Sequence, residues 1–191
     1  MSERLAEPPR DDAPPSAHRS PDDEAARIPH LSWQSGDVLV GRSVTIDRPR
    51  EELYAFWRNF ENLPKFMHSI QRVTVIDAIR SRWRIEAPAG KSVEWQSTIT
   101  SDQPGRLIAW ESDEGAHLRN SGSVEFKESP EGRGTVVTVT LAYDPPGGAL
   151  GQLIAKLYHK EPNIQARRDL RRFKQLMETG EVAIAAAPRS N

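Results

Sequence analysis

Residues 91–143 read KSVEWQSTITSDQPGRLIAWESDEGAHLRNSGSVEFKESPEGRGTVVTVTLAY. The stretch contains four runs in which apolar and polar residues alternate. Between them stand Ser101-Asp102-Gln103-Pro104-Gly105, Asp113-Glu114-Gly115 and the segment around Pro130-Glu131-Gly132. A period of two marks strands with one buried face, and the joints carry turn chemistry. Consecutive strands joined this briefly run antiparallel. The chain therefore builds a meandering sheet with a continuous inner face.

The same pattern extends upstream. Ser81, Trp83, Ile85 and Ala87 alternate with Arg80, Arg82, Arg84 and Glu86, and Pro88-Ala89-Gly90 closes a hairpin onto the next run. The simplest register sets Trp83 opposite Trp95 inside and Arg84 opposite Glu94 outside, a favourable cross-strand pair. Matching registers downstream set Trp95 beside Trp110 and Ser97 beside Ile108, then Asn120 beside Trp110 and Gly122 beside Ile108. The last hairpin sets Phe126 near Val137, Val124 near Val139 and Tyr143 near Asn120. A slip of one residue would send every side chain to the other face.

Three indoles on the inner face of adjacent strands form either a filled core or the wall of a cavity. Two features favour a cavity. Gly122 interrupts the inward row, and interior glycine in a strand marks close approach by another group. Asn120 and Tyr143 bring an amide and a phenol to one end of an apolar wall, where burial without partners is costly. Apolar lining with a few convergent polar groups is the usual composition of a small-molecule site. The alternative is that the amide and the phenol satisfy each other and the cavity is dry.

The flanking segments supply helices. Val38–Ile46 alternates weakly and runs into Asp47-Arg48-Pro49, a strand followed by a helix start. Leu53, Tyr54, Phe56 and Trp57 make an apolar stripe over 50–58. Residues 62–67 form a second short helix with Asn62 as N-cap, and Ile70–Asp77 opens the next strand. Asp144-Pro145-Pro146-Gly147-Gly148 breaks the chain before a helix over 149–179. Its stripe runs through Leu150, Ile154, Leu157, Tyr158 and Ile164 to Leu170, Phe173, Leu176 and Met177, and Pro162 is expected to kink or split it. This helix is long enough to cover the sheet's apolar face, so Ile154, Leu157 and Tyr158 join Trp83, Trp95, Trp110, Asn120, Gly122 and Tyr143 as candidate ligand-binding residues.

Composition bounds the rest. At 191 residues the chain fits one domain plus tails. Residues 1–36 hold Pro8, Pro9, Pro14, Pro15, Pro21 and Pro29 among polar and charged residues, which predicts a disordered leader. Ile28, Leu31 and Trp33 are placed to dock its end. Seven acids against four bases give the leader a net charge of −3, leaving +2 for the remainder of a chain whose total is −1. The folded domain is expected over 37–181 and a flexible tail over 182–191. That charge balance demands neither nucleic acid nor a membrane surface. There are no cysteines, and neither a membrane span nor a signal-like hydrophobic segment is visible, so a cytoplasmic setting is expected, with at most transient membrane contact.

Several strings resemble one family. They are Phe56-Trp57-Arg58-Asn59 with Glu61-Asn62-Leu63-Pro64, Trp83 with Ala87-Pro88, Val93-Glu94-Trp95, Ile108-Ala109-Trp110, Gly122-Ser123-Val124-Glu125-Phe126, and Leu170-Arg171-Arg172-Phe173-Lys174. Together with the order of elements they resemble the START-like, or SRPBCC, superfamily, in its bacterial polyketide cyclase/dehydrase and lipid transport branch. The resemblance implies an α+β helix-grip (START/Bet v 1-like) fold. In that fold a curved seven-stranded antiparallel sheet wraps around a long C-terminal helix, with two short helices after the first strand. It also implies a ligand between sheet and helix. The superfamily includes lipid carriers, hormone receptors, aromatase/cyclases and co-chaperones, so fold alone does not select an activity.

Chemistry-bearing motifs are sparse. His18, His30, His68, His117 and His159 are scattered without metal-ligand spacing, and neither a phosphate-binding loop nor a nucleophile elbow is present. No metal or other cofactor is expected. Gly147, Gly148 and Gly151 read as a tight strand-to-helix turn. Glu111 and His117, with Asp113 and Glu114, are the acid/base candidates, although alternation puts His117 on the outer face. Arg167, Arg168, Arg171, Arg172 and Lys174 read as the solvated back of the helix, with Arg168 and Arg172 carrying their stems over the core, in preference to a contact for a polyanion or an acidic lipid. The expected function is binding or transport of a hydrophobic small molecule such as a lipid, quinone or polyketide. The alternatives are a cofactor-free polyketide cyclase/dehydratase and a co-chaperone-like partner-binding module.

Overall fold

The alternating runs form the expected strands in the computed structural model, which describes residues 38–87, 91–116, 118–130, 132–144 and 162–181. The leader, the Pro88-Ala89-Gly90 turn, His117, Ile154, Leu157, Tyr158 and the C-terminal tail lie outside the described residues. Strand β1 (Val38–Ile46) leads into helix α1 (Arg50–Arg58) and a 3-10 helix (Phe60–Lys65). Strands β2 (Ile70–Val75), β3 (Arg80–Ala87), β4 (Lys91–Gln103), β5 (Leu107–Ser112), β6 (Asn120–Glu128) and β7 (Thr135–Tyr143) follow, then helix α2 (Pro162–Thr179). The sheet is antiparallel in the order β1-β7-β6-β5-β4-β3-β2. It curls into a half-barrel that grips α2, the helix-grip arrangement. Pro162 opens the described part of that helix, so the expected kink falls at the border of the described residues.

Local chemistry explains the helical corner. Pro49 precedes the first turn of α1, Glu51 and Glu52 lie in that turn and Arg58 in the last, each charge matched to the helix dipole. Leu53 and Trp57, four residues apart, are buried. Tyr54 and Arg58 tie the helix to the end of β4 through Asp102, the guanidinium at 2.7 Å. The cap of the second helix is Asn59 rather than the expected Asn62, its side chain accepting the Glu61 N–H at 3.2 Å. Asn62 instead donates to the Phe56 carbonyl at 2.9 Å and accepts from Lys65. The short helix therefore starts two residues after α1 ends, with Asn59 between them, and position 62 falls inside it rather than at its cap.

Two hairpin registers match expectation. Trp83 faces Trp95 and Arg84 faces Glu94, the latter pair 3.5 Å apart. Asn120 faces Tyr143, Val124 faces Val139 and Phe126 faces Val137. The two middle registers differ. Ser97 faces Ser112 rather than Ile108, and Ile99 rather than Trp95 faces Trp110, with a bulge before Ser101. The physical reason is the turn. Pro104 and Gly105 sit at the centre of a four-residue turn closed by Arg106 N–H to the Gln103 carbonyl at 2.9 Å, with Gly105 at φ +70°, so β4 runs on through Ser101-Asp102-Gln103, whose composition is that of a joint. Across β5 and β6, Trp110 faces Gly122 and Ile108 faces Val124, a two-residue slip. The β4–β5 slip is four residues up to the bulge and five beyond it; Trp110 pairs before the bulge, where both slips are even, so its face is unchanged.

The core beneath α2 is aromatic. Trp57 meets Phe173 edge-on at 5.0 Å and Phe66 at 5.1 Å, and Phe66 lies 4.8 Å from Phe173. These rings clamp α2 to α1 and leave the opposite end of the sheet for the site.

Candidate functional site

The wall begins with a mirrored pattern, Ser81-Arg82-Trp83 on β3 and Trp95-Gln96-Ser97 on β4. Side chains two apart share a face, so each indole N–H reaches the serine beside it. Trp83 Nε1 donates to Ser81 Oγ at 2.9 Å and Trp95 Nε1 to Ser97 Oγ at 3.1 Å. Both serines are buried. With their only polar atoms satisfied within the sheet, the two rings present apolar surface at no cost of an orphan donor. Trp83 stacks on Trp95 (6.0 Å, 20°) and on Trp110 (6.2 Å, 18°), and Phe60 of the 3-10 helix buttresses Trp83 and Trp110 edge-on.

Between this wall and α2 lies a cavity of about 110 Å³. Trp83, Trp95, Trp110, Asn120 and Tyr143 line it, with Leu63 and Met67 from the helical corner, Ile70 from β2 and Gln165, Ala166, Asp169 and Leu170 from α2. The Asn120 amide donates to the Leu118 carbonyl at 3.0 Å, and burial raises the Tyr143 pKa. The amide and the phenol thus flank the apolar wall as the alternation implied.

Gly122 does not line the cavity, contrary to expectation. A Cβ there would sit 2.4 Å from Trp110 Cζ2 and 2.8 Å from Leu141 Cδ2, so the glycine admits the Trp110 ring against the β6 backbone rather than leaving a hole. Trp110 is held by Phe60 and Trp83 and has little room to retreat. Gly122→Ala is expected to cost about 1–3 kcal/mol by overpacking, read as a lower urea midpoint at constant m. An unchanged midpoint would show that the ring moves freely.

Glu111, an acid/base candidate from the sequence, is not in the cavity wall. Trp110 faces inward, so its neighbour faces out. Asp113 accepts from Thr98 Oγ1 at 2.8 Å as a connection residue. His117 lies outside the described residues.

Among the described residues Asp169 supplies the carboxyl group that reaches the cavity. It is 6% exposed. Gln165 Nε2 donates to both its oxygens at 2.9 and 3.1 Å, Arg172 Nη1 donates at 3.0 Å, and the His68 backbone N–H points to it. Burial outweighs these donors and pushes its pKa up to about 7. The sequence held a signal in the spacing Gln165, Asp169, Arg172, which stacks three polar groups on one helix face beside Leu170 and Phe173.

Among the described residues no group of three His, Asp or Glu side chains is arranged to hold a metal, and no helix is long and apolar enough to cross a membrane.

Comparisons extend this picture. A Deinococcus radiodurans protein of known crystal structure is 42% identical, with 75% of this chain and 100% of that chain covered at a TM-score of 0.63. A Thermus thermophilus protein is 27% identical over 73% of this chain and 94% of its own, TM-score 0.55. An aromatase/cyclase from a Streptomyces species shares the fold at 14% identity, covering 77% of this chain and 99% of its own, TM-score 0.56. With the helix-grip sheet, the indole wall and a match over residues 46–171 to the family described as polyketide cyclase / dehydrase and lipid transport, the chain belongs to that family.

Proposed function

We propose that the protein binds a hydrophobic small molecule, a lipid, quinone or polyketide-like compound, between the indole wall and α2. The observation that carries this reading is the wall itself, three near-parallel indoles facing a cavity instead of a filled core. The cavity of about 110 Å³ approaches, but is smaller than, the roughly 150 Å³ apolar cavity that takes up benzene, which suits one flat ring or acyl segment of a larger ligand against Trp83 and Trp110. Asn120 and Tyr143 supply hydrogen bonds to one polar end.

A second reading, a cofactor-free cyclase or dehydratase, is favoured by one observation. Asp169 sits in the cavity wall with a pKa near neutrality, suited to taking up and returning a proton. A bound chain would be held by the wall while the carboxyl exchanged the proton.

The binding reading is tested with Ala166→Phe, which puts a ring into the cavity from α2. Titration with a fluorescent fatty acid is expected to show binding weakened by about tenfold or more, a loss of about 1.4 kcal/mol, with the fold intact by circular dichroism. Uptake at unchanged affinity would place the ligand elsewhere. Asn120→Leu should weaken ligands with a polar head more than plain hydrocarbons, because it removes a hydrogen-bonding group and keeps apolar bulk. Equal losses for both would remove Asn120 from the site. The enzymatic reading expects Asp169→Asn to keep ligand affinity while abolishing turnover of a polyketide analogue.

A further inference from the structure

The β2–β3 hairpin, at the end of the sheet away from the cavity, presents Val75, Ile76 and Ile79 to solvent at 43%, 41% and 50% exposure. The tip is held in this form. Asp77 accepts the backbone N–H groups of Ile79 (3.0 Å) and Arg80 (2.8 Å) and the Arg80 guanidinium (2.6 Å), and Arg58 donates to the Ala78 carbonyl at 2.7 Å. Exposure of the aliphatic side chains is therefore a property of a fixed turn. On the outer face behind it, Arg72 lies opposite Arg84 and Arg82 opposite Thr74. Like charges facing each other across a sheet are unfavourable. Arg84 is paired with Glu94 and Arg80 with Asp77, whereas Arg72 and Arg82 make no hydrogen bond or ion pair among the described residues.

We propose that this hairpin is a docking surface for an anionic lipid bilayer. Ile76 and Ile79 enter the acyl boundary, and Arg82 and Arg72 reach lipid phosphates along their flexible stems. The charge selects this occupant over others. β2 is an edge strand, but a second copy pairing along it would bring two Arg72/Arg84 rows together. A nucleic acid would engage the arginines and leave the aliphatic tip in water, with no aromatic ring at the tip to stack a base. A bilayer with anionic headgroups satisfies both halves of the surface, and either half alone anchors weakly.

The test is co-sedimentation of the full chain with vesicles of phosphatidylcholine alone and of phosphatidylcholine mixed with phosphatidylglycerol. Binding to the mixed vesicles only, reversed by salt, is expected. Arg72→Gln with Arg82→Gln should weaken it about 30-fold, the factor two basic side chains supply near an anionic leaflet. Ile76→Ser with Ile79→Ser should weaken it about tenfold or more. All four positions are exposed, so near-UV circular dichroism and fatty-acid uptake should stay as in the wild type, which separates this surface from the cavity. Equal binding to both vesicle types, or double variants that sediment like the wild type, would overturn the proposal. Self-association abolished by the isoleucine pair would overturn it too, by giving the surface to a second copy.

Discussion

Phe173→Ala is expected to cost about 3–5 kcal/mol of stability, the range for removing a large buried aromatic side chain. Phe173 is fully buried, and its ring meets Phe66 at 4.8 Å, Trp57 at 5.0 Å and Phe56 at 5.9 Å. The ring therefore joins α2, α1 and the segment after the 3-10 helix. Polar ties of α2 to this end of the sheet include Lys174 donating to the Thr45 carbonyl, Arg48 donating to the Glu178 carbonyl and the Asp47 N–H donating to the Glu178 carboxylate, each 2.8 Å and at or near the surface. Surface contacts of this kind add about 0–1 kcal/mol apiece and do not replace the aromatic clamp. Urea titration should show the midpoint falling with m unchanged, and Phe173→Leu, which keeps more of the volume, should lose less. Asp169 and Leu170 sit one helical turn upstream in the cavity wall, so fatty-acid uptake should decline together with stability. A loss below about 1 kcal/mol would show that the helix is held by something other than these rings.

The parts of this structure legible in the sequence are those fixed by periodicity. Trp83, Trp95 and Trp110 share the inner face because alternation assigns faces independently of register, and around Trp110 the middle registers slipped by even numbers. The β3–β4 and β6–β7 registers were legible because short glycine-containing turns leave few alternatives. The β4–β5 register was not, because Ser101, Asp102 and Gln103 have the composition of a loop whether they lie in one or in the exposed end of a strand. Gly122 was legible as a site of close approach, but the sequence does not say which side chain approaches, and the answer was the neighbouring Trp110. The polar row Gln165, Asp169, Arg172 was legible in its spacing, but the burial of Asp169 was not, for a different reason. An acid on an amphipathic helix is ordinarily solvated, and its burial depends on where the sheet's rim and His68 lie around that helix, which is tertiary information.

The charge state of Asp169 makes a second large effect testable. Its pKa is 3.8 in the unfolded chain and about 7 in the fold, raised by burial. The folded state thus binds a proton more tightly than the unfolded chain. The stability associated with this group is fully present below about pH 4 and is lost as pH rises through about 7. Above that, folding must bury a carboxylate, and a shift of this size corresponds to an upper bound of about 4 kcal/mol. Asp169→Asn keeps the shape and an acceptor for Gln165 and Arg172 without the charge. Arg172 is 25% exposed at its side chain, so water can serve the guanidinium once the carboxylate is gone. The variant should match the wild type near pH 4 and exceed it by about 2–4 kcal/mol near pH 8, read from urea midpoints at the two pH values. The other titratable groups do not produce this difference. His68 has its pKa lowered by burial and then by Arg172, so it loses stability as pH falls and does so in both proteins. Tyr143, across the cavity, has its pKa raised by burial and stays neutral throughout. An Asp169→Asn protein less stable than wild type near pH 8 would mean that Arg172 and Gln165 hold the carboxylate ionised. The cavity would then carry a fixed negative charge instead of an exchangeable proton, and the enzymatic reading would lose its one supporting group.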